Sequence, residues 1–116
     1  MRRRNKYGNR KVTLDGYKFD SIKEANRYAE LKLLEKAGEI RDLMRQVPIV
    51  IQEGFINQQT GKKEQAIKYY ADFTYFKKGE DAITIEDVKS EATRKDKVYR
   101  LKKKLLAAKG IYIQEV

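Results

Sequence analysis

Apolar residues in the first third of the chain recur every three or four positions between residue 21 and about residue 37. This spacing predicts an amphipathic helix. Its predicted inward positions are Ile22, Ala25, Tyr28, Ala29, Leu33 and Leu34. Ser21 has the side chain of an N-cap and Gly38 suits the end of a last helical turn, so both helix boundaries are marked.

A second helical spacing covers residues 96–109 and stops at Gly110. Its predicted inward positions are Val98, Leu101, Leu105 and Ala108. Shorter apolar runs between turn residues predict strands. Asp15-Gly16, placed between Val12 to Leu14 and Tyr17 to Phe19, is a strong signal for a β-hairpin. The further predicted strands are residues 47–56, 66–76, 82–90 and 111–116.

After the hairpin, the predicted order is helix, three strands, helix, strand. A meander of three strands followed by a helical crossover predicts an α/β fold with a mixed central sheet flanked by two helices. A chain of 116 residues is long enough for one domain, predicted here over residues 12–116. Residues 1–11 are predicted to form a flexible basic arm.

The formal net charge of +10 is concentrated in two short segments, residues 1–11 and residues 94–104. Together these segments contain thirteen of the 27 basic residues and one of the 17 acidic residues. Such clustering indicates a polyanionic partner, and the alternative is a solvated helix face. The candidate nucleic-acid-binding residues are Arg2, Arg3, Arg4, Arg94, Lys95, Lys97, Arg100, Lys102, Lys103 and Lys104.

The chain contains neither cysteine nor histidine. It therefore cannot form a disulfide or a thiolate zinc site, and it cannot use Ser-His, Cys-His or histidine-metal hydrolysis. Its apolar runs fall short of the roughly 18 residues of a membrane span, and the start Met-Arg-Arg-Arg lacks the apolar region of a secretory signal. These features predict a cytoplasmic protein without a membrane partner, in the host cytoplasm if the gene is phage-borne.

Acidic residues occur at two places in the predicted strands. Asp72 lies in the aromatic run of residues 66–76, and Asp87-Val88-Lys89 ends the next strand. Alternate side chains of a strand share a face, so Asp87 and Lys89 lie about 7 Å apart on one side. Pairing the two strands brings two carboxylates and an ammonium together, which suits Mg²⁺ or Mn²⁺ and a phosphate. Glu86 is predicted to point the other way, as a solvated neighbour.

These residues also have structural explanations that involve no catalytic role. Asp72 could be an acid at an exposed strand position, and Asp87 with Lys89 could be a self-paired strand end. Tyr69 and Tyr70 are interpreted as core residues in preference to base-stacking platforms.

The motifs Ser21-x-x-Glu24, Ala71-Asp72-Phe73 and Asp87-Val88-Lys89 together resemble those of the PD-(D/E)xK, restriction-endonuclease-like nuclease superfamily. Within that superfamily the chain is similar to small phage-borne nuclease-like proteins and to the endonuclease subunit of heteromeric transposases. The resemblance covers roughly residues 17–116, and Ala71 stands where the motif's name has proline. It implies an αβββαβ core, which the order of predicted elements also matches.

The resemblance implies a Mg²⁺- or Mn²⁺-dependent DNA endonuclease. The implied catalytic residues are Glu24, Asp72, Asp87 and Lys89, and the implied metal ligands are Asp72, Asp87, Glu24 and the carbonyl of Val88. Ser21-x-x-Glu24 is also a capping box, which explains Glu24 without a catalytic role.

The expected activity is structure-directed cleavage of branched DNA, of the Holliday-junction resolvase type, in phage or mobile-element DNA processing and recombination. Two alternatives stay open: a non-catalytic nucleic-acid-binding module on a nuclease fold, and a transposon-end-cleaving endonuclease subunit. A homodimer and a phage or transposition protein partner are also left open beside the DNA partner.

Overall fold

A computed structural model describes residues 11–116. It begins with a hairpin of β1 (Val12–Leu14) and β2 (Tyr17–Phe19), paired antiparallel as predicted. Asp15 and Gly16 have φ angles of 51° and 80°, the left-handed backbone that a tight hairpin turn requires. Most of the predicted basic arm, including Arg2, Arg3 and Arg4, lies outside the described residues.

The first helix, α1 (Ile22–Lys36), starts and stops where the sequence predicted. Its buried residues are Glu24, Ala25, Tyr28 and Leu31. The predicted inward stripe was therefore confirmed at Ala25 and Tyr28 and wrong at Ile22 and Leu33, which are 49% and 69% exposed. Tyr28 packs against the rings of Phe19 and Phe73, and these aromatic contacts set the rotation of the helix.

The central sheet is mixed, as predicted. The strands along the chain are β3 (Ile40–Gln52), β4 (Phe55–Ile56), β5 (Lys63–Glu64), β6 (Ile67–Lys77), β7 (Ile83–Asp87) and β8 (Ile113–Glu115). The order across the sheet is β3-β6-β7-β8, with two antiparallel pairs followed by one parallel pair. Strands β4 and β5 form a separate two-stranded ladder, in a region where the sequence predicted the end of a strand and a polar turn.

Two helices, α2 (Glu91–Arg94) and α3 (Lys97–Ala108), lie between β7 and β8, where one helix was predicted. Asp96 separates them and caps α3, because its carboxylate accepts a 2.9 Å hydrogen bond from the Tyr99 N–H. The described residues therefore contain three helices, and the two predicted flanking helices correspond to α1 and α3. No helix over residues 11–116 is long and apolar enough to cross a membrane.

The predicted inward face of α3 was also wrong. Tyr99 and Leu106 are buried, whereas the predicted residues Val98, Leu101 and Leu105 are 61%, 56% and 41% exposed. The Tyr99 ring packs beside the Tyr69 ring, and its hydroxyl donates a 3.0 Å hydrogen bond to Glu115. The ring contact and the hydrogen bond of Tyr99 thus determine which face of α3 packs on the sheet.

The core consists of two clusters, one beneath α1 and one beneath α3. Ile85 belongs to the α3 cluster, while the next residue, Glu86, bonds to Arg27 of α1. Neighbouring residues of a strand point to opposite faces, so α1 and α3 cover opposite faces of the sheet at β7.

Candidate active site

Asp72 of β6 and Asp87 of β7 lie opposite each other on neighbouring strands of the sheet. The neighbouring pair Phe73–Glu86 is in register, which places the two aspartates directly opposite one another. The Asp72 N–H donates to the Asp87 carboxylate at 3.1 Å, and the Val88 N–H donates to the Asp72 carboxylate at 2.8 Å. Both side chains are buried. Backbone hydrogen bonds therefore fix the orientation of both carboxylates.

Gln46 gives Asp72 a further partner that the sequence analysis missed. Its side-chain amide donates to Asp72 Oδ1 at 3.2 Å. Gln46 lies on β3 between Arg45, which pairs with Phe73, and Val47, which pairs with Ala71, so it is opposite Asp72. Its φ of 52° is unusual for a residue in a strand. A lone glutamine in a strand run carries no signal in one sequence.

Lys89 joins the two aspartates, as the acid-x-Lys spacing predicted. Its ammonium lies 3.7 Å from Asp87 Oδ1 and 5.6 Å from the centre of the Tyr99 ring. The Lys23 ammonium donates to the Lys89 carbonyl at 3.3 Å, which ties α1 to the segment after β7. The site therefore contains one positive charge beside two buried acids.

Glu24 is brought to this region by α1. Ser21 Oγ accepts the Glu24 N–H at 3.1 Å, which is one half of the predicted capping box. The reciprocal bond, from the Ser21 N–H to the Glu24 carboxylate, is not formed within residues 11–116. Burial raises the pKa of Glu24 to about 7, and the negative charge of Asp72 adds to the rise. The carboxylate thus belongs electrostatically to the site.

The two aspartates also hold their protons more tightly than usual. Burial raises the pKa of Asp87 to about 6, although the Lys89 charge acts in the opposite direction. Burial likewise raises the pKa of Asp72. Burial is thus the main cause of the raised pKa values of all three acids, and the nearby Lys89 charge only partly opposes it.

A divalent cation is the group that such carboxylates fit. Asp87 Oδ2 is buried and has no hydrogen-bond partner among the described residues, so one hard oxygen donor is left over. Residues 11–116 contain no group of three or more acids close enough together to form a metal cage unaided. Mg²⁺ is commonly held by one or two carboxylates with water and substrate phosphates, a requirement that Asp72 and Asp87 fit.

Glu86 is buried, so its predicted role as a solvated neighbour was wrong. Its side chain is 1% exposed and accepts two hydrogen bonds from Arg27, at 2.8 and 2.7 Å, and a third from the Tyr75 hydroxyl. The reason is that α1 covers this face of β7. In the sequence, the signal for this contact was the spacing of Glu24 and Arg27. The two residues are three positions apart, which places both on one face of α1.

Arg45 is a second basic residue near the site that the sequence analysis missed. Its guanidinium lies 4.6 and 4.7 Å from the ring centres of Tyr17 and Phe19, and it donates to the Lys18 carbonyl at 3.3 Å. Its charge opposes the rise in the Glu24 pKa. The hairpin therefore holds a cation within electrostatic reach of the acids.

The basic residues of segment 94–104 divide into two groups. Four of them have polar contacts within the protein. Lys103 and Arg94 lie 2.7 and 3.7 Å from Glu115, and Lys102 donates to the Lys68 carbonyl at 3.0 Å. Lys95 lies 3.6 Å from Glu91 in an exposed pair. Lys97, Arg100 and Lys104 have no acidic partner within residues 11–116.

Lys97, Arg100 and Lys104 surround a shallow cavity together with Leu101. They are therefore the predicted phosphate-binding residues that remain available to an external anion.

The chain belongs to the family described as "Protein of unknown function (DUF1064)", which matches residues 4–115. No curated protein and no solved structure matches the chain.

Proposed function

We propose that this protein is a Mg²⁺- or Mn²⁺-dependent DNA endonuclease that hydrolyses phosphodiester bonds. One observation carries the proposal: Asp72 and Asp87 are buried opposite each other, with the Lys89 ammonium 3.7 Å from Asp87. Burying two acids side by side is costly without a positive partner. Binding of a cation with a phosphate substrate would offset the free-energy cost of burying these two carboxylates.

The order of elements supports the same proposal. Helix α1 precedes β3, β6 and β7, and helix α3 crosses over to the parallel strand β8. This is the order of the restriction-endonuclease-like αβββαβ core, to which we assign the fold. In that assignment the small β4–β5 ladder is an insertion, and β1–β2 is an N-terminal addition.

Asp72 and Asp87 would hold the cation together with the carbonyl of Val88, and Glu24 would be a further ligand through water. A bound divalent cation supplies positive charge at the phosphate and promotes the ionisation of water. These ligands come from β6, the end of β7 and the start of α1. The hydrogen bonds of Asp72 and Asp87 to the backbone limit their freedom before the substrate arrives.

The protein's own groups would serve the remaining needs of hydrolysis. Water oxygen bonds to phosphorus, the P–O bond to one sugar breaks, and that sugar oxygen gains a proton. The Lys89 ammonium is placed to stabilise the negative charge that grows on the phosphate. Glu24, at the start of α1 beside these acids, would accept a proton from the attacking water.

DNA is the substrate that the charge distribution favours. Lys97, Arg100 and Lys104 would contact DNA phosphates, and Arg2, Arg3 and Arg4 would extend the contact. The chain has little surface for reading bases, so we expect recognition of DNA shape, as in branched DNA or a Holliday junction. The setting would be phage or mobile-element DNA recombination in the cytoplasm.

A second candidate is an endonuclease subunit of a transposition-type complex. One observation favours it: Val98, Leu101 and Leu105 form an exposed apolar stripe along α3. Exposed apolar patches of this kind are common at protein interfaces. In a homodimer through the same stripe, the basic residues beside it would meet their own copies.

The test is cleavage of supercoiled plasmid, with and without Mg²⁺, by the full chain. Conversion of supercoiled to nicked circles only in the presence of the cation is the expected result. A protein that binds the plasmid but leaves it intact with Mg²⁺ or Mn²⁺ would support a non-catalytic binding module instead. A protein that becomes active only with a partner would support the second candidate.

A further inference from the structure

One half of the β3–β6 ladder has an uncovered face. The cross-strand pairs Pro48–Tyr70 and Val50–Lys68 are in register, and all four residues are exposed. Tyr69, which alternates with them, is buried beneath α3. The exposed pairs therefore lie on the face of this ladder half that points away from α3.

One end of this ladder half adjoins the candidate active site. Two positions along the ladder from the Pro48–Tyr70 pair, beyond Val47–Ala71, Gln46 lies opposite Asp72 and donates a 3.2 Å hydrogen bond to it. Tyr70 precedes Asp72 by two residues, about 7 Å along an extended strand. Lys68 lies about 7 Å further on. An exposed tyrosine and then an exposed lysine thus precede Asp72 along β6.

Tyr70 is not a core residue, so its predicted core role was wrong, whereas the same prediction for Tyr69 is confirmed. Tyr70 is 56% exposed, and Tyr69 is 5% exposed. The Tyr70 hydroxyl makes no hydrogen bond to any described residue. An exposed aromatic ring beside a nuclease site is a surface on which a base can stack.

We infer that Tyr70 is a stacking platform for an unpaired base next to the phosphate held at Asp72. This inference rests on the proposed function and narrows its substrate to DNA with single-stranded or junction nucleotides. Bases within a duplex already stack on their neighbours, so a base must leave the helix before it can stack on a side chain. Pro48 would extend the apolar surface, and Lys68 would contact a phosphate of the same strand.

Charge favours nucleic acid over other occupants of this face. The chain has a formal net charge of +10, and Lys68 is the charged residue in the two exposed ladder pairs. In a self-complementary contact between two copies of this face, these pairs would supply no acid to match Lys68. A single DNA strand offers the flat bases and the negative charge that Tyr70 and Lys68 suit.

The test measures binding of short oligonucleotides without divalent cations, so cleavage plays no part. A single strand containing 2-aminopurine and a blunt duplex of the same sequence are titrated with wild type, Tyr70→Ser and Tyr70→Phe. Tyr112→Ser is the matched control, since Tyr112 is 71% exposed and lies outside the β3–β6 ladder.

We expect Tyr70→Ser to weaken binding of the single strand by about 5- to 100-fold, the range for losing one stacked base. Tyr70→Phe and Tyr112→Ser should stay within twofold of wild type, and duplex affinity should change little. Wild type should alter the 2-aminopurine fluorescence, and Tyr70→Ser should not. Equal melting temperatures would show that the variants are folded, as an exposed site predicts.

Three results would overturn the inference: unchanged single-strand affinity in Tyr70→Ser, an equal loss for the duplex, or an equal loss in Tyr112→Ser. A dimer that Tyr70→Ser disrupts, with oligonucleotide affinity unchanged, would assign the face to a second copy. Tyr70-dependent stacking without metal-dependent cleavage would leave this inference standing while the proposed hydrolysis fails. Metal-dependent cleavage at the wild-type rate in Tyr70→Ser, together with no change in 2-aminopurine fluorescence, would refute this inference and leave the proposed hydrolysis standing.

Discussion

The Asp72 N–H donates a 3.1 Å hydrogen bond to the carboxylate of Asp87, directly across the ladder between β6 and β7. The Asp72 carboxylate in turn accepts the N–H of Val88, the residue after Asp87. Each acid therefore helps to fix the position of the other. This mutual support orients two carboxylates in a buried place where their charges repel, and it leaves Asp87 Oδ2 without a partner in the described chain.

The first prediction concerns the charge beside these acids. Lys89→Ala should lower the rate of plasmid cleavage by two or more decades, the scale for losing one preorganised charge. DNA affinity should fall much less, because many other basic residues contribute to it. Rates and affinities of Lys36→Ala, at an exposed lysine of α1, supply the comparison. Full activity of Lys89→Ala would mean that Asp87-Val88-Lys89 is only a strand end.

The second prediction concerns the buried ion pair between α1 and β7. Arg27→Leu leaves the Glu86 carboxylate, 1% exposed, without its bidentate partner. The free energy of unfolding should fall by about 3 kcal/mol, as measured by urea denaturation. Lys32→Ala breaks the exposed pair with Glu35 and should lower the free energy of unfolding much less. Equal effects of the two changes would show that the Arg27–Glu86 pair does not hold α1 against the sheet.

The third prediction is a pH dependence of stability in the protein without metal. Burial raises the pKa of Glu24 to about 7 and that of Asp87 to about 6, both above the ordinary values of unfolded carboxylates. The folded state therefore binds these protons more tightly than the unfolded state. The stability associated with them is fully present below about pH 4 and is lost as the pH rises to about 7.

Glu24→Gln isolates one part of this dependence, because glutamine carries no titrating proton. The loss of unfolding free energy between pH 4.5 and 7.5 should shrink by about 2 kcal/mol in this variant. Denaturation in EDTA across that range measures it. Glu53→Gln, at an exposed position, should keep the wild-type slope. If Glu24→Gln kept the wild-type pH dependence of the unfolding free energy, Glu24 would not be one of the interacting acids.

Much of the site followed from the sequence because it depends on strand geometry. Asp72 and Asp87 meet because the two strands pair as a meander, which needs only strand pairing and one turn. Lys89 lies two residues beyond the end of β7, and its side chain still returns to Asp87, as the acid-x-Lys spacing indicated. The positions of α1 and of the hairpin were likewise marked by local signals, Ser21, Asp15-Gly16 and Gly38.

The rotation of the two long helices could not be predicted in the same way. Apolar spacing placed Leu33 and Leu101 inward, but Tyr28 and Tyr99 hold the helices by ring packing on the sheet. Glu86 was misjudged for a related reason. Its burial depends on Arg27, which is 59 positions away in the chain and is brought near only by the fold. Tertiary partners, and not local pattern, decide these cases.

The most direct test of the central claim is the Mg²⁺-dependent nicking rate of Asp72→Asn beside that of Asp42→Asn. Asparagine can keep the acceptor for the Val88 N–H, and the Gln46 amide can rotate to accept from the new amide, so the fold should persist. Asp42 is exposed and has a φ of 56°, a backbone that asparagine also tolerates. Unfolding curves of both variants establish that they are folded.

The account predicts that Asp72→Asn abolishes nicking while it binds DNA at least as tightly as wild type, because a negative charge near the phosphates has been removed. Asp42→Asn should cleave at the wild-type rate. A folded Asp72→Asn protein that nicks plasmid at nearly the wild-type rate would contradict the assignment of Asp72 and, with it, the proposed nuclease site.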